Sequence, residues 1–178
     1  FGNATGMTLC HACPIGKVSS TSAFAGCSDC VAGKISEHEG GAKCVSCGTG
    51  KFSDRDGAAV CQDCAKGMYR SGDDTDPTKC DACPRGYSQS AQGQASCLPC
   101  LPGEFGNATG MTLCHACPIG KVTPIAASAK CTDCEAGESS NTEGGAKCST
   151  CGAGKFSRVV GAACSLCAKG MYRSGDDT

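Results

Sequence analysis

Twenty cysteines in 178 residues dominate the chemistry of this chain, and every one belongs to a C-x-x-C pair. The ten pairs begin at Cys10, Cys27, Cys44, Cys61, Cys80, Cys97, Cys114, Cys131, Cys148 and Cys164. Successive starts differ by 17, 17, 17, 19, 17, 17, 17, 17 and 16 residues. Three chemistries use C-x-x-C. Redox catalysis needs one reactive pair, normally at a helix start within a βαβ unit, and ten pairs without helical periodicity do not supply that. Zinc needs four thiolates, and C-x2-C-x13-C-x2-C is an acceptable spacing for such a site. Disulfides need an even count and an oxidising route, and they suit a chain too poor in large side chains to build a core. Here 5 Phe, 3 Tyr and no Trp accompany 26 Gly, so covalent staples must take the place of a core. Disulfides are the favoured reading, with a zinc-binding repeat protein as a lesser alternative.

Other candidate sites are sparse. Asn3-Ala4-Thr5 and Asn107-Ala108-Thr109 are N-x-[ST] sequons at equivalent places of a long repeat, in polar Gly-rich turns, and both asparagines are expected to carry N-linked glycans. The acidic run Asp73-Asp74-Thr75-Asp76, with Asp176-Asp177 in the second copy, raises calcium binding, since hard cations want several carboxylate oxygens. It lacks the spaced ligands and the bidentate Glu of a calcium loop, so a solvated turn is the simpler reading. His11, His38 and His115 stand singly, and no Ser/His/Asp or Cys/His constellation accompanies them. The expectation is no enzyme, no cofactor and no metal.

The elements that position the cysteines follow from the repeat, which calls for a tandem architecture. The unit is close to C-x-x-C-x-x-G-x-Φ-S, where Φ is apolar or aromatic. The glycine three residues after the second cysteine occurs in all ten units, from Gly16 to Gly170. It marks a backbone position with φ > 0, or one pressed against a disulfide where a Cβ will not fit. Two residues on stand Val18, Ile35, Phe52, Tyr69, Phe105, Val122, Phe156 and Tyr172, each expected to cover a neighbouring disulfide. A second glycine (Gly40, Gly57, Gly93, Gly110, Gly144, Gly161) reads as a turn before the next pair. The fold class expected is small and disulfide-rich, mostly loops and short β-ribbons with almost no helix, forming an elongated tandem-repeat rod of cysteine-rich units.

A longer period of 104 residues lies above the short one, dividing the chain at 1–104 and 105–178. FGNATGMTLCHACPIGKV occupies both 1–18 and 105–122, and AKGMYRSGDDT both 65–75 and 168–178. Between identical blocks the turns differ, as in 19–26 against 123–130. Both termini fall mid-unit, as expected of a window cut from a longer repetitive protein. The 16 Lys and Arg balance 17 Asp and Glu, which leaves no basic footprint for nucleic acid, and no apolar run approaches a membrane span.

The run C-x-x-C-P-x-G-[KY]-x-S…G-A-x-x-C-x-x-C resembles the ephrin-receptor-like, or GCC-type, cysteine-rich repeats of extracellular proteins. Cys10-His11-Ala12-Cys13-Pro14-Ile15-Gly16 and Cys80-Asp81-Ala82-Cys83-Pro84-Arg85-Gly86 carry the resemblance best. It implies small EGF-like modules, an extracellular or cell-surface location, and a role as spacer as often as binder. The register of the modules is taken from the 19-residue step after Cys61, whose extra residues include the turn-prone Asp76-Pro77. On that register the units join first-to-third and second-to-fourth: Cys10–Cys27, Cys13–Cys30, Cys44–Cys61, Cys47–Cys64, Cys80–Cys97, Cys83–Cys100, Cys114–Cys131, Cys117–Cys134, Cys148–Cys164 and Cys151–Cys167. The alternative is a continuous ladder, in which Cys30 bonds Cys44. The modules would then be 10–43, 44–79, 80–113, 114–147 and 148–178, with 1–9 the tail of a preceding unit. The function expected is a structural component of an extracellular filament, surface appendage or matrix, self-associating through the repeated blocks 1–18 and 105–122. The drifted stretches 19–26 and 123–130 should face solvent. Other extracellular partners are compatible, and a receptor ectodomain binding a protein ligand is the main rival.

Overall fold

The computed structural model describes residues 9–22, 26–72 and 76–174. Among them are eighteen two-residue strands and no helix. The strands pair in chain order into nine antiparallel two-stranded ribbons. The first ribbon sets the pattern. β1 (Lys17–Val18) follows Gly16, and β2 (Ser28–Asp29) is the x-x of the next C-x-x-C, with Lys17 opposite Asp29 and Val18 opposite Ser28. Strand residues thus lie inside the cysteine pairs themselves, so each C-x-x-C is an extended step between two sulfurs.

By its internal contacts the chain forms two compact units. One runs to Ala82 and includes Ala91–Ser96; the other comprises Cys83–Ser90 and everything from Cys97 onward. Both are built alike, with a core of second cysteines, small residues and backbone. Cys30, Cys47 and Cys64 are buried in the first unit, and Cys83, Cys100, Cys117, Cys134 and Cys151 in the second. Ile35 packs with Cys47, Ala58 and Cys61, and so covers the Cys47–Cys61 disulfide as its position in the repeat implies. Val18 and Val122 are likewise buried at that position, whereas Tyr172 is 91% exposed.

The glycines explain how such a core closes. All ten first glycines have positive φ, between 70 and 88°. Gly50 shows why only glycine serves there. A Cβ on it would stand 2.0 Å from the Gly93 carbonyl oxygen, in the turn two units further on. Of the two reasons the sequence offered, the positive φ is present at all ten, and the crowding at Gly50 comes from backbone and not from a disulfide. The peptide groups that meet there are paired across units. Gly50 N–H donates to Arg70 O at 2.8 Å, Cys64 N–H to Gly50 O at 2.8 Å, and Gly93 N–H to Cys64 O at 2.9 Å. The second-glycine turn also needs positive φ, and in one unit alanine takes it: Ala127 has φ 59° and is the one non-glycine residue with positive φ among the described residues.

Candidate functional site: the cysteine ladder and the surface it displays

Nine disulfides join the second cysteine of each pair to the first cysteine of the next. They are Cys13–Cys27, Cys30–Cys44, Cys47–Cys61, Cys64–Cys80, Cys83–Cys97, Cys100–Cys114, Cys117–Cys131, Cys134–Cys148 and Cys151–Cys164. Their Cα–Cα distances lie between 5.6 and 5.8 Å, within the ordinary range. This is the continuous ladder, and it corrects the first-to-third, second-to-fourth pairing expected from the spacing. None of the ten bonds of that register forms, from Cys10–Cys27 to Cys151–Cys167. Cys10 and Cys167 are free thiols in this structure.

The physical reason lies in the ribbon register. That register sets Cys30 opposite Gly16, its N–H donating to Gly16 O at 2.9 Å, so each C-x-x-C pair is held by its backbone to the unit before it while the Cys30 sulfur bonds Cys44 of the unit after. The expected module boundaries are also spanned by disulfides: Cys30–Cys44 across 43/44, Cys64–Cys80 across 79/80, Cys100–Cys114 across 113/114 and Cys134–Cys148 across 147/148. The 19-residue step is therefore a longer loop inside one rung, with a sequence separation of 16 instead of 14. Asp76-Pro77 lies inside that loop. Pro77 O accepts the Ser53 N–H at 3.4 Å, and the Pro77 ring occupies the space beside Gly33 that a second-glycine turn fills elsewhere.

A buried polar row accompanies the sulfurs, and the sequence reading gave it no role although Ser closes the repeat motif. It comprises Ser36, Ser53, Arg70, Gln89, Thr123, Ser140 and Ser157. Each follows the Φ position. Ser53 is typical: its hydroxyl donates to Arg55 O at 3.2 Å, and its carbonyl accepts from Gly33 N–H at 2.8 Å. Where the row holds Arg70, the guanidinium Nη1 donates to Cys47 O (3.1 Å), Gly48 O (3.1 Å) and Lys51 O (2.8 Å). Arg70 is 3% exposed. The signal available from sequence was a Ser or Thr recurring after the Φ position in six of the ten units, a place that simple alternation assigns to solvent.

The remaining candidates divide. Asn107 is exposed at the start of a turn after β11 (Glu104–Phe105), accessible to a glycosyl group. Asn3, Asp73, Asp74, Asp176 and Asp177 lie outside the described residues. Asp76 is described, and its carboxylate is committed to its own turn. Thr78 donates to Asp76 Oδ1 through its N–H (3.0 Å) and its hydroxyl (2.5 Å), and Lys79 Nζ lies 3.1 Å from Oδ2. These donors, the Thr78 hydroxyl first, hold the carboxyl at about 2 instead of 3.8. His115 stacks in a tilted arrangement on Phe105, its cross-strand partner, with ring centroids 5.9 Å apart. Among the described residues no three His, Cys, Asp or Glu side chains gather to hold a metal, and the disulfides take the sulfurs that a zinc site would need. No described helix is long and apolar enough to cross a membrane.

Two surface features stand out. Leu9 and Leu113, equivalent in the long repeat, are 71% and 67% exposed, and Ile15 and Ile119 are exposed at a second equivalent pair of positions. Separately, Leu98, Leu101 and Leu113 line a groove of about 430 Å³ with Ser88, Ser90 and Glu104.

With this geometry in place, comparison with protein families gives a consistent result. The family described as tyrosine-protein kinase ephrin type A/B receptor-like matches in three overlapping windows, residues 50–93, 74–112 and 86–134. No curated protein matches the chain. The matched repeat is non-catalytic, and together with nine disulfides it points to an extracellular module. The ladder runs in the same second-to-first register on both sides of the matched windows: residues 50–134 are similar to ephrin-receptor-like cysteine-rich repeats, and the rest of the described chain is built on the same tandem plan.

Proposed function

We propose that this chain is a segment of an extracellular structural element, a filament, surface appendage or matrix component, that self-associates through its repeated face. The observation that carries the reading is the equivalent exposure of Leu9 with Leu113 and of Ile15 with Ile119, the same apolar pair presented twice at a 104-residue spacing. Identical patches at a fixed interval turn one weak contact into many, and head-to-tail contacts that do not close generate open filaments. The drifted turn supports this assignment of faces in part: Pro124, Ile125, Ala126, Ala129 and Lys130 are exposed, although Thr123 is buried. An N-linked glycan on Asn107 belongs with the same reading.

A second reading, a receptor ectodomain that binds a protein ligand, is favoured by the groove of Leu98, Leu101 and Leu113, since an exposed apolar groove rimmed by polar residues suits a protein partner. Electron microscopy and sedimentation of the native assembly, repeated with Leu9→Lys and Leu101→Lys, separate the two. The structural reading expects filaments that Leu9→Lys disrupts and Leu101→Lys leaves intact. Native material that is monomeric at high concentration overturns it.

A further inference from the structure

Tension along this backbone meets two kinds of segment, and the ladder decides which of them carries it. A force entering at Cys13 crosses the disulfide to Cys27, follows Ser28 and Asp29 to Cys30, crosses to Cys44, follows Val45 and Ser46 to Cys47, and so continues. The residues on this path are the even-numbered strands: β2, β4 (Val45–Ser46), β6 (Gln62–Asp63), β8 (Asp81–Ala82), β10 (Leu98–Pro99), β12 (His115–Ala116), β14 (Thr132–Asp133), β16 (Ser149–Thr150) and β18 (Ser165–Leu166). They are extended already, so pulling gains almost nothing from them. Each rung likewise holds its two Cα atoms 5.6–5.8 Å apart by covalent bonds. Everything else in the unit, including both glycine turns, the Φ side chain and the buried polar row, lies in a loop bypassed by its rung.

We propose that the chain is a nearly inextensible covalent tether, with one loop per unit stored as slack that only reduction releases. The inference rests on the pairing and holds whether the array is a filament or a receptor stalk. With its rung intact, a unit spans at most about 16 Å, three extended peptide steps plus the disulfide, against roughly 60 Å for 17 extended residues. The first-to-third, second-to-fourth pairing would behave oppositely. It leaves the stretch from Cys30 to Cys44 outside any closed loop, free to extend by tens of ångströms without breaking a bond.

Single-molecule pulling on the full chain, with handles attached next to Cys13 and next to Cys164 so that the stretches outside the ladder carry no load, reads the difference directly. Without reductant, the expected trace shows no lengthening step of 40 Å or more. After addition of a dithiol, discrete steps of roughly 40–45 Å are expected for rungs with a separation of 14, and a longer step for Cys64–Cys80. Each step is one completed exchange. The dithiol gives up two electrons and two protons and closes into its own cyclic disulfide, while one cystine becomes two thiols. The double substitution Cys47→Ser with Cys61→Ser should add one such step in the absence of dithiol. Steps of 40 Å or more in the unsubstituted, unreduced chain would overturn the proposal. So would a dithiol-treated chain that fails to lengthen.

Discussion

The residues AKGMYR occur twice, at 65–70 and at 168–173, and the two copies live in different surroundings. In the first, Tyr69 is half-buried and Arg70 is buried over three carbonyl oxygens. In the second, Tyr172 is exposed and Arg173 Nη1 is bonded to Lys155 O at 3.1 Å. The glycines preceding them behave the same way. Gly50 is pressed against the Gly93 turn, whereas Gly154, its counterpart 104 residues later, has nothing within 4 Å of its missing Cβ. Identical sequence with different burial means that a unit does not make its own interior. The units that follow supply it, as in solenoid arrays stabilised by nearest-neighbour interfaces. Arg70 N–H, for instance, donates to Gln94 O at 3.1 Å.

The sharpest way to break this comparison is Gly50→Ala against Gly154→Ala. Both positions have positive φ, 70° and 72°, so each alanine meets the left-handed penalty of about 1–2 kcal/mol. Only at Gly50 does the new methyl also collide with backbone, so that the turn at Gly93 must move. Gly50→Ala is expected to fold into mixed disulfide isomers, while Gly154→Ala retains native pairing, as read by non-reducing peptide mapping. Equal behaviour of the two variants would show that the neighbouring turn is not what requires glycine.

Arg70→Ala against Arg173→Ala gives the next largest effect. Removing Arg70 leaves three carbonyl oxygens without their charged donor in a buried site, a loss of about 3 kcal/mol by the usual magnitude of charged hydrogen bonds. Arg173, partly exposed, should cost under about 1 kcal/mol. Hydrogen exchange at the Gly50 and Gly154 amides, which donate to Arg70 O and Arg173 O, reports each clasp locally. The Gly50 amide should lose roughly two orders of magnitude of protection, and the Gly154 amide much less.

Much of this architecture was legible in the sequence, for a physical reason. Ten glycines at one offset announced a backbone demand, and all ten have positive φ. A scarcity of large side chains with an even cysteine count announced disulfides. The pairing was not legible from spacing, because a first-to-third bond and a second-to-first bond close loops of similar length. What separates them is the set of contacts between units, such as Cys30 N–H on Gly16 O and Gly57 N–H on Cys30 O, which spacing does not display. Arg70 was hidden for a related reason: a buried arginine looks like a solvated one until the carbonyls that surround it are in place.

The rungs themselves provide a gentler test. In all nine disulfides the second cysteine of a pair is buried; its partner is only half-buried in eight of them, but at Cys64–Cys80 both are buried, at 0% and 8% exposure. Thiolate attack depends on access, so titration with a dithiol followed by alkylation should find Cys64 and Cys80 labelled last. Arg70→Ala should shorten that delay if the stack over the first copy is what shields the rung.

The smallest effect concerns the loop that closes that rung. Asp76 is half-buried, and its low value of about 2 comes from the Thr78 hydroxyl, then the Thr78 N–H, then Lys79. The same pairing raises the Lys79 ammonium above its ordinary value. A carboxylate depressed in the folded state contributes stability that is complete above its unfolded value near 3.8 and is lost as pH falls through about 2. A raised lysine contributes below its unfolded value of 10.5 and loses its contribution as pH climbs beyond it. The turn at 76–79 is therefore expected to stay closed from about pH 4 to pH 10 and to open locally outside that window, while the disulfide keeps the rung intact. The Thr78 amide resonance, followed by NMR across the acid range, should shift with a midpoint near 2, and Asp76→Asn should remove that transition without altering disulfide pairing. A midpoint near 3.8 instead would mean that Thr78 and Lys79 do not hold the carboxylate in solution.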